Sequence, residues 1–162
     1  YAQARAFYLY MFAHPGKKLN FMGNEFGLRT EWNENAELDW SYADGMFHAF
    51  FRALSQTYRD HSALHTDYEA ASFRWLDEDT PCVFAWERRS GNERLIALCN
   101  FADEPYDFPL PSPDCTVLLH TDRERFGGQA KESSRSFLRK QDGFLLKLAK
   151  FSAVLLKIIE TE

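Results

Sequence analysis

"FMGNEFGLRTEWNENAELDW", Phe21 to Trp40, holds five carboxylates and four aromatic rings in twenty residues, with Arg29 as its one cation. It leaves a short apolar run, Leu19–Met22, that ends at Gly23 and is long enough only for a buried strand. The segment beyond Gly23 reads as a long loop whose acids and amides (Glu25, Asn24, Asn33, Asp39) offer hydrogen-bond partners to hydroxyl groups. Trp32 and Trp40 offer flat apolar faces on which a sugar ring can stack. The opposing reading is a loop pinned by its own aromatics, with Glu25 bonded to main-chain amides.

The flanks decide what kind of loop this is. Upstream, Ala4, Phe7, Tyr8, Met11 and Phe12 recur at helical spacing and predict a helix with that stripe inward. It stops at His14-Pro15-Gly16, because proline disfavours helix in the residue before it and glycine relieves the turn. The pattern is already under way at Tyr1, so the chain reads as starting inside a larger architecture. Downstream, a second helix capped by Ser41 or Asp44 is predicted, with Phe47, Phe50, Phe51, Leu54 and Tyr58 inward. Arg52, Gln56, Arg59 and Asp60 fall on its outer side. A lone strand with a helix on either side cannot bury both its faces. Such a unit is expected to close a (β/α)8 barrel, whose functional loops leave the C-terminal ends of the strands.

Near Leu64 the texture changes to short β-rich runs separated by turn signals every eight to twelve residues. The predicted strands are Phe73–Leu76, Cys82–Arg88, Arg94–Phe101, Tyr106–Leu110, Cys115–Thr121, Ser136–Arg139, Phe144–Leu148 and Ala153–Ile159. "RSGNE" (Arg89–Glu93) reads as a hairpin connection, and Pro105, Pro109, Pro111 and Pro113 suit an edge strand leading into a loop. The expected fold is thus α/β plus all-β: residues 1–66 as the terminal strand and helices of a barrel, and residues 67–162 as an antiparallel β-sandwich.

Composition narrows the function. A net charge of −5 argues against nucleic acid, and the basic cluster Arg135–Lys140 reads as a solvated face. No apolar run approaches a membrane span, and no signal peptide opens the chain. Cys82, Cys99 and Cys115 form an odd, widely spaced set that reads as reduced thiols of a cytoplasmic protein. His61 and His65 stand four apart, but no third ligand is near in sequence, so no metal is expected. His14 reads as structural, and Trp75 and Trp86 as core rings rather than sugar platforms. "FGG" (Phe126–Gly128) reads as a loop of permissive backbone with no helix behind it to cradle phosphate.

"AHPGKKLNFMGNEFG", followed by "EWNENAELDW", resembles the end of the catalytic barrel of the 1,4-α-glucan (glycogen) branching enzymes, members of the α-amylase superfamily. The likeness runs on through "YRDHSALHTD", "FRWLDED", "NFADEPY" and "TDRERFGG". It departs from the family at Cys115, where many relatives carry an aromatic, and in the tail "LAKFSAVLLKIIETE", which lacks a proline pair.

The resemblance implies a retaining transglycosylase that needs no cofactor. A carboxylate nucleophile forms a glycosyl-enzyme intermediate, and a second carboxylic acid protonates the leaving oxygen. The glucan then passes to a 6-hydroxyl of another α-glucan chain. In that family these carboxylates lie on earlier barrel strands, so no catalytic residue is assigned here. Glu25, Trp32, Asp39 and Trp40 are carried over as substrate-side residues of the last barrel loop. Two alternatives stay open: another hydrolase of the superfamily, and a free-standing carbohydrate-binding β module. The apolar residues Phe7, Met11, Phe21, Phe47 and Phe50 are expected either to pack on the β domain or to drive self-association.

Overall fold

The computed structural model describes residues 1–110, 114–132, 137–140 and 143–159. Helix α1 spans Ala2–Ala13 and α2 spans Met46–Asp60. The strands follow as β1 (Phe73–Asp77), β2 (Val83–Ser90), β3 (Glu93–Asn100), β4 (Tyr106–Leu110), β5 (Cys115–His120), β6 (Phe137–Lys140), β7 (Gly143–Leu148) and β8 (Ser152–Ile158). All eight predicted strands are present within one or two residues of their expected limits. Pro111, Pro113, Arg135 and Ser136 lie outside the described residues.

The strands form two antiparallel sheets, one in the order β1-β2-β3-β8-β5 and the other β4-β7-β6. The larger sheet is covered on both faces, and its central strands show why. On β3, Leu95, Ala97 and Cys99 face the helices, while Ile96 and Leu98 face the smaller sheet. On β8, Ala153 and Leu155 face the helices, while Val154, Leu156 and Ile158 face the smaller sheet. Alternate residues of a strand point to opposite faces, so an uninterrupted apolar run produces a strand buried twice. A bulge between Val117 and Leu119 breaks this alternation on β5, and Leu118 and Leu119 both end in the helix-side cluster. The β2–β3 hairpin closes with Ser90 opposite Glu93, and Gly91 takes φ +54° in its two-residue loop. Pro109 sits on β4, an edge strand paired only with β7, where its missing N–H disturbs no ladder.

Three sequence expectations are corrected. Leu19–Met22 is no strand: Met22 turns the chain at φ +42° and Leu19 is 73% exposed. A single extended run with no neighbour cannot satisfy its main-chain groups as a ladder, so it stays open. The buried face of α1 is Arg5, Ala6, Leu9, Phe12 and Ala13, and Phe7 is exposed. This helix is apolar nearly all round, so periodicity could not choose its inner face; contact with β3 and β8 does. Helix α2 is entered through Gly45 and takes no side-chain cap from Ser41 or Asp44.

The inner stripe of α2 is as expected, with Phe47, Phe50, Phe51 and Leu54 buried and Tyr58 packed beside them. One continuous core therefore joins the helix pair to the larger sheet, drawing on residues from both sides of position 66. Trp86 is fully buried within it, and Trp75 packs against it edge-on to Trp86 at 5.7 Å. Both rings are core, as read from their spacing.

Candidate functional site

The acidic loop is shaped by two glycines. Gly23 (φ +83°) and Gly27 (φ +68°) bracket a tight turn over Asn24–Phe26. A Cβ on Gly27 would lie 2.7 Å from the Phe47 ring, so only glycine lets the loop approach α2 this closely. Phe26 is the buried pin of the turn. Its ring stacks on His48 at 5.0 Å and receives the edge of Trp40 at 5.4 Å.

That pin directs Glu25 into a groove of 490 Å³ along α2, lined by Asn20, His48, Arg52, Gln56 and Arg59. Glu25 accepts a 2.8 Å hydrogen bond from the Asn20 side-chain amide, not from the loop main chain. Arg59 donates to Gln56, and Gln56 donates to Asp60, each at 2.7 Å. His48 Nδ1 is buried beside this chain without a hydrogen-bond partner. The groove thus gathers one carboxylate, two guanidinium groups and two amides from the loop and from α2, a donor and acceptor mix suited to hydroxyl-rich ligands. Asn20 and His48 were not singled out in the sequence. The 52, 56, 59 spacing of the outer α2 residues was the signal, since it sets them on one helix face.

The other predicted residues stand apart. Trp32 lines a separate depression of 460 Å³ with Met22, Asn24, Leu28, Thr30 and Glu31, and its ring meets Phe21 edge-on at 5.2 Å. Trp40 is 57% exposed and donates its indole N–H to Glu37 at 2.8 Å. Asp39 accepts from the hydroxyl and main-chain N–H of Ser41, at 2.6 and 3.0 Å. Those two bonds hold its carboxyl below the usual carboxylate range. Asp39 and Trp40 line neither depression. Glu25 and the two tryptophans therefore share one loop but not one pocket.

His61 does find a carboxylate, though far away in sequence: Nδ1 lies 2.6 Å from Glu93 Oε1 on β3. Among the described residues, no group of three or more His, Cys, Asp or Glu side chains is placed to hold a metal ion. No helix among them is long and apolar enough to cross a membrane.

Residues 75–159, just over half of the chain, match the α-amylase C-terminal all-β domain, and the chain belongs to that family. Among its relatives is the 1,4-α-glucan branching enzyme GlgB of Rhizobium meliloti, 41% identical over 143 residues that take in 81% of this chain and 19% of the relative. The branching enzyme GlgB 1 of Clostridium perfringens is 38% identical over 144 residues, covering 80% of this chain and 21% of that enzyme. The chain spans about a fifth of the length of these relatives. Among solved structures, the α-amylase of H. orenii superposes with a TM-score of 0.68 over 98% of this chain and 36% of its own, at 14% identity. The α-amylase of Geobacillus thermoleovorans, in complex with acarbose, gives 0.67 over 99% of this chain and 34% of its own, at 16% identity. That likeness is one of fold, and it takes in the helix pair as well as the two sheets.

Proposed function

We propose that this chain is the C-terminal part of a 1,4-α-glucan branching enzyme of glycogen synthesis. Residues 1–66 would complete the catalytic barrel, and residues 67–162 would form the β domain behind it. The observation that carries this reading is the 41% identity with the Rhizobium meliloti enzyme over 143 residues, a span too long to lie in the β domain alone. In this reading the parent enzyme cleaves α-1,4-glucan through a covalent intermediate and passes the segment to a 6-hydroxyl. Glu25, Trp32, Asp39 and Trp40 belong to the last barrel loop, on the α-glucan side, and no cofactor is used. The odd set of thiols, with Cys99 buried, supports a reducing cytoplasmic setting.

The chain by itself is expected to be inactive, because its acidic residues match none of the family's nucleophile, acid/base and third carboxylate. A carbohydrate-binding module would need rings in line on an open sheet face, and Trp75 and Trp86 are instead part of the helix-side core. The test is an iodine-staining branching assay on residues 1–162 and on a chimaera in which they replace the matching segment of the Rhizobium meliloti enzyme. The chimaera should branch amylose and the chain alone should not. A folded chimaera without activity would overturn the reading, as would turnover by the chain alone.

A further inference from the structure

At the seam between α1, α2 and the turn after β5 lies a third, smaller cavity of 220 Å³. Its walls are mainly aromatic, from Tyr1, Phe26, Tyr42, Phe47 and Phe126. Among the described residues, one cationic side chain lines it. Arg5, 4% exposed, is anchored by Nε to the Thr121 carbonyl at 2.7 Å, and its Nη atoms have no hydrogen-bond partner among the described residues. Asp122 attracts it from nearby, but no Arg5–carboxylate pair within 4.0 Å occurs among the described residues.

The same cavity receives the start of α2, where Gly45, Met46 and Phe47 line it. The first amides of a helix have no intrahelical acceptor, and here the cap is a glycine without a side chain and the first turn carries no acid. Two independent donors of positive potential, a buried guanidinium with free Nη groups and an uncapped helix end, thus meet in one apolar chamber. The planar fork of a guanidinium matches a carboxylate, and the Nη side of Arg5 is the part left without a hydrogen-bond partner among the described residues.

We propose that this chamber is a binding site for a small organic carboxylate with a flat apolar body. The carboxylate would sit between Arg5 and the α2 amides, and the body between the aromatic walls. Such a ligand would clamp both helices to the β5 turn. The site is separate from the groove at Glu25.

Benzoate is a suitable probe, titrated by calorimetry into the 162-residue chain, with benzamide as its neutral isostere and inorganic phosphate as an anion without an apolar body. Benzoate should bind saturably and raise the melting temperature, and the other two should bind at least ~10-fold more weakly. Arg5→Met should weaken benzoate by a similar factor. Because Arg5 is buried and its loss can unfold the chain, Met46→Glu provides the second arm. Met46 is 58% exposed, and its Cε and Arg5 Nη1 lie 3.6 and 3.8 Å from the point a Cβ on Gly127 would occupy. A glutamate there fills the same space with a tethered carboxylate, so the folded variant should lose benzoate binding. Equal affinity for benzamide, tighter binding of phosphate, or undiminished benzoate affinity in folded Met46→Glu would each overturn the proposal.

Discussion

Arg88, fully buried on β2, donates a 3.0 Å hydrogen bond from Nη1 to the main-chain carbonyl of Ala13, the last residue of α1. The Trp86 indole donates to the same carbonyl at 3.1 Å. The final carbonyls of a helix lack intrahelical donors and carry partial negative charge. Helix α1 has no basic residue in its own last turn, so the sheet supplies the cation. Arg88 also donates through Nη2 to Thr66 O at 3.2 Å and pairs with Asp67 at 2.9 Å. One side chain thereby ties α1, the segment after α2 and the β domain together.

Arg88→Met should destabilise the chain by about 3 kcal/mol, because it strands the largely buried Asp67 carboxylate and leaves the Ala13 carbonyl to the Trp86 indole alone. Urea denaturation followed by far-ultraviolet circular dichroism measures this. Adding Asp67→Asn should restore part of the loss, since the orphaned charge is then gone. A loss below ~1 kcal/mol for the single variant would mean the helix end is held by Trp86 alone.

Stability should fall in two steps on acidification. Burial, aided by the nearby Arg123 charge, brings His120 down to about 4 from 6.5, and its Nδ1 accepts the Asp122 amide. The unfolded chain takes up this proton first, so the contribution is complete above pH 6.5 and lost as pH falls towards 4. Burial alone would raise Glu93, but the Ala63 amide, His61 and Lys157 outweigh it and bring it to about 2 from 4.5. Its contribution, of order 2–3 kcal/mol, is complete above pH 4.5 and lost as pH falls towards 2. Urea midpoints measured from pH 8 to 2 should show both steps, with Glu93→Gln shrinking the lower one, to which the arginine-paired Glu87 also contributes, and leaving the upper.

Gly128→Ala should be strongly destabilising, by about 3 kcal/mol, the upper end of the usual overpacking range. Its Cβ would lie 2.0 Å from the Asp122 carbonyl oxygen, a main-chain atom that cannot step aside. Gly91→Asn is the control: Gly91 takes φ +54° with open space around it, and asparagine tolerates that region, so the change should be under ~1 kcal/mol. Thermal unfolding of the two variants side by side reads the difference.

On the proposed reading of the parent protein as a branching enzyme, Glu25→Gln should lower branching activity and leave the fold unchanged. The acceptor for Asn20 survives in part, but the one carboxylate lining the α2 groove is lost. Wild-type turnover in this variant would leave the loop a structural element.

Much of this architecture is legible in the sequence because it depends on local rules. Eight strands, the hairpin at Gly91 and the inner face of α2 follow from alternation, turn chemistry and an amphipathic stripe. The candidate site is less legible. Glu25, Trp32, Asp39 and Trp40 are neighbours in sequence, yet they divide between two depressions and the open surface. Asn20 and His48, which complete the Glu25 groove, carry no motif. Their role depends on Phe26 folding the loop back onto α2.

The sequence by itself determined where the two helices and the eight strands of the sheets form, the inward stripe of α2, and the family motifs of the first forty residues. Those properties are carried by residues close along the chain. Only the tertiary structure decided that α1 turns Leu9 rather than Phe7 inward, that Leu19–Met22 stays open, and that Arg88 caps α1 from 75 residues away. The physical reason is the same in each case. An apolar helix, a lone extended run and a buried cation have no preferred arrangement of their own, so the surface that meets them chooses it.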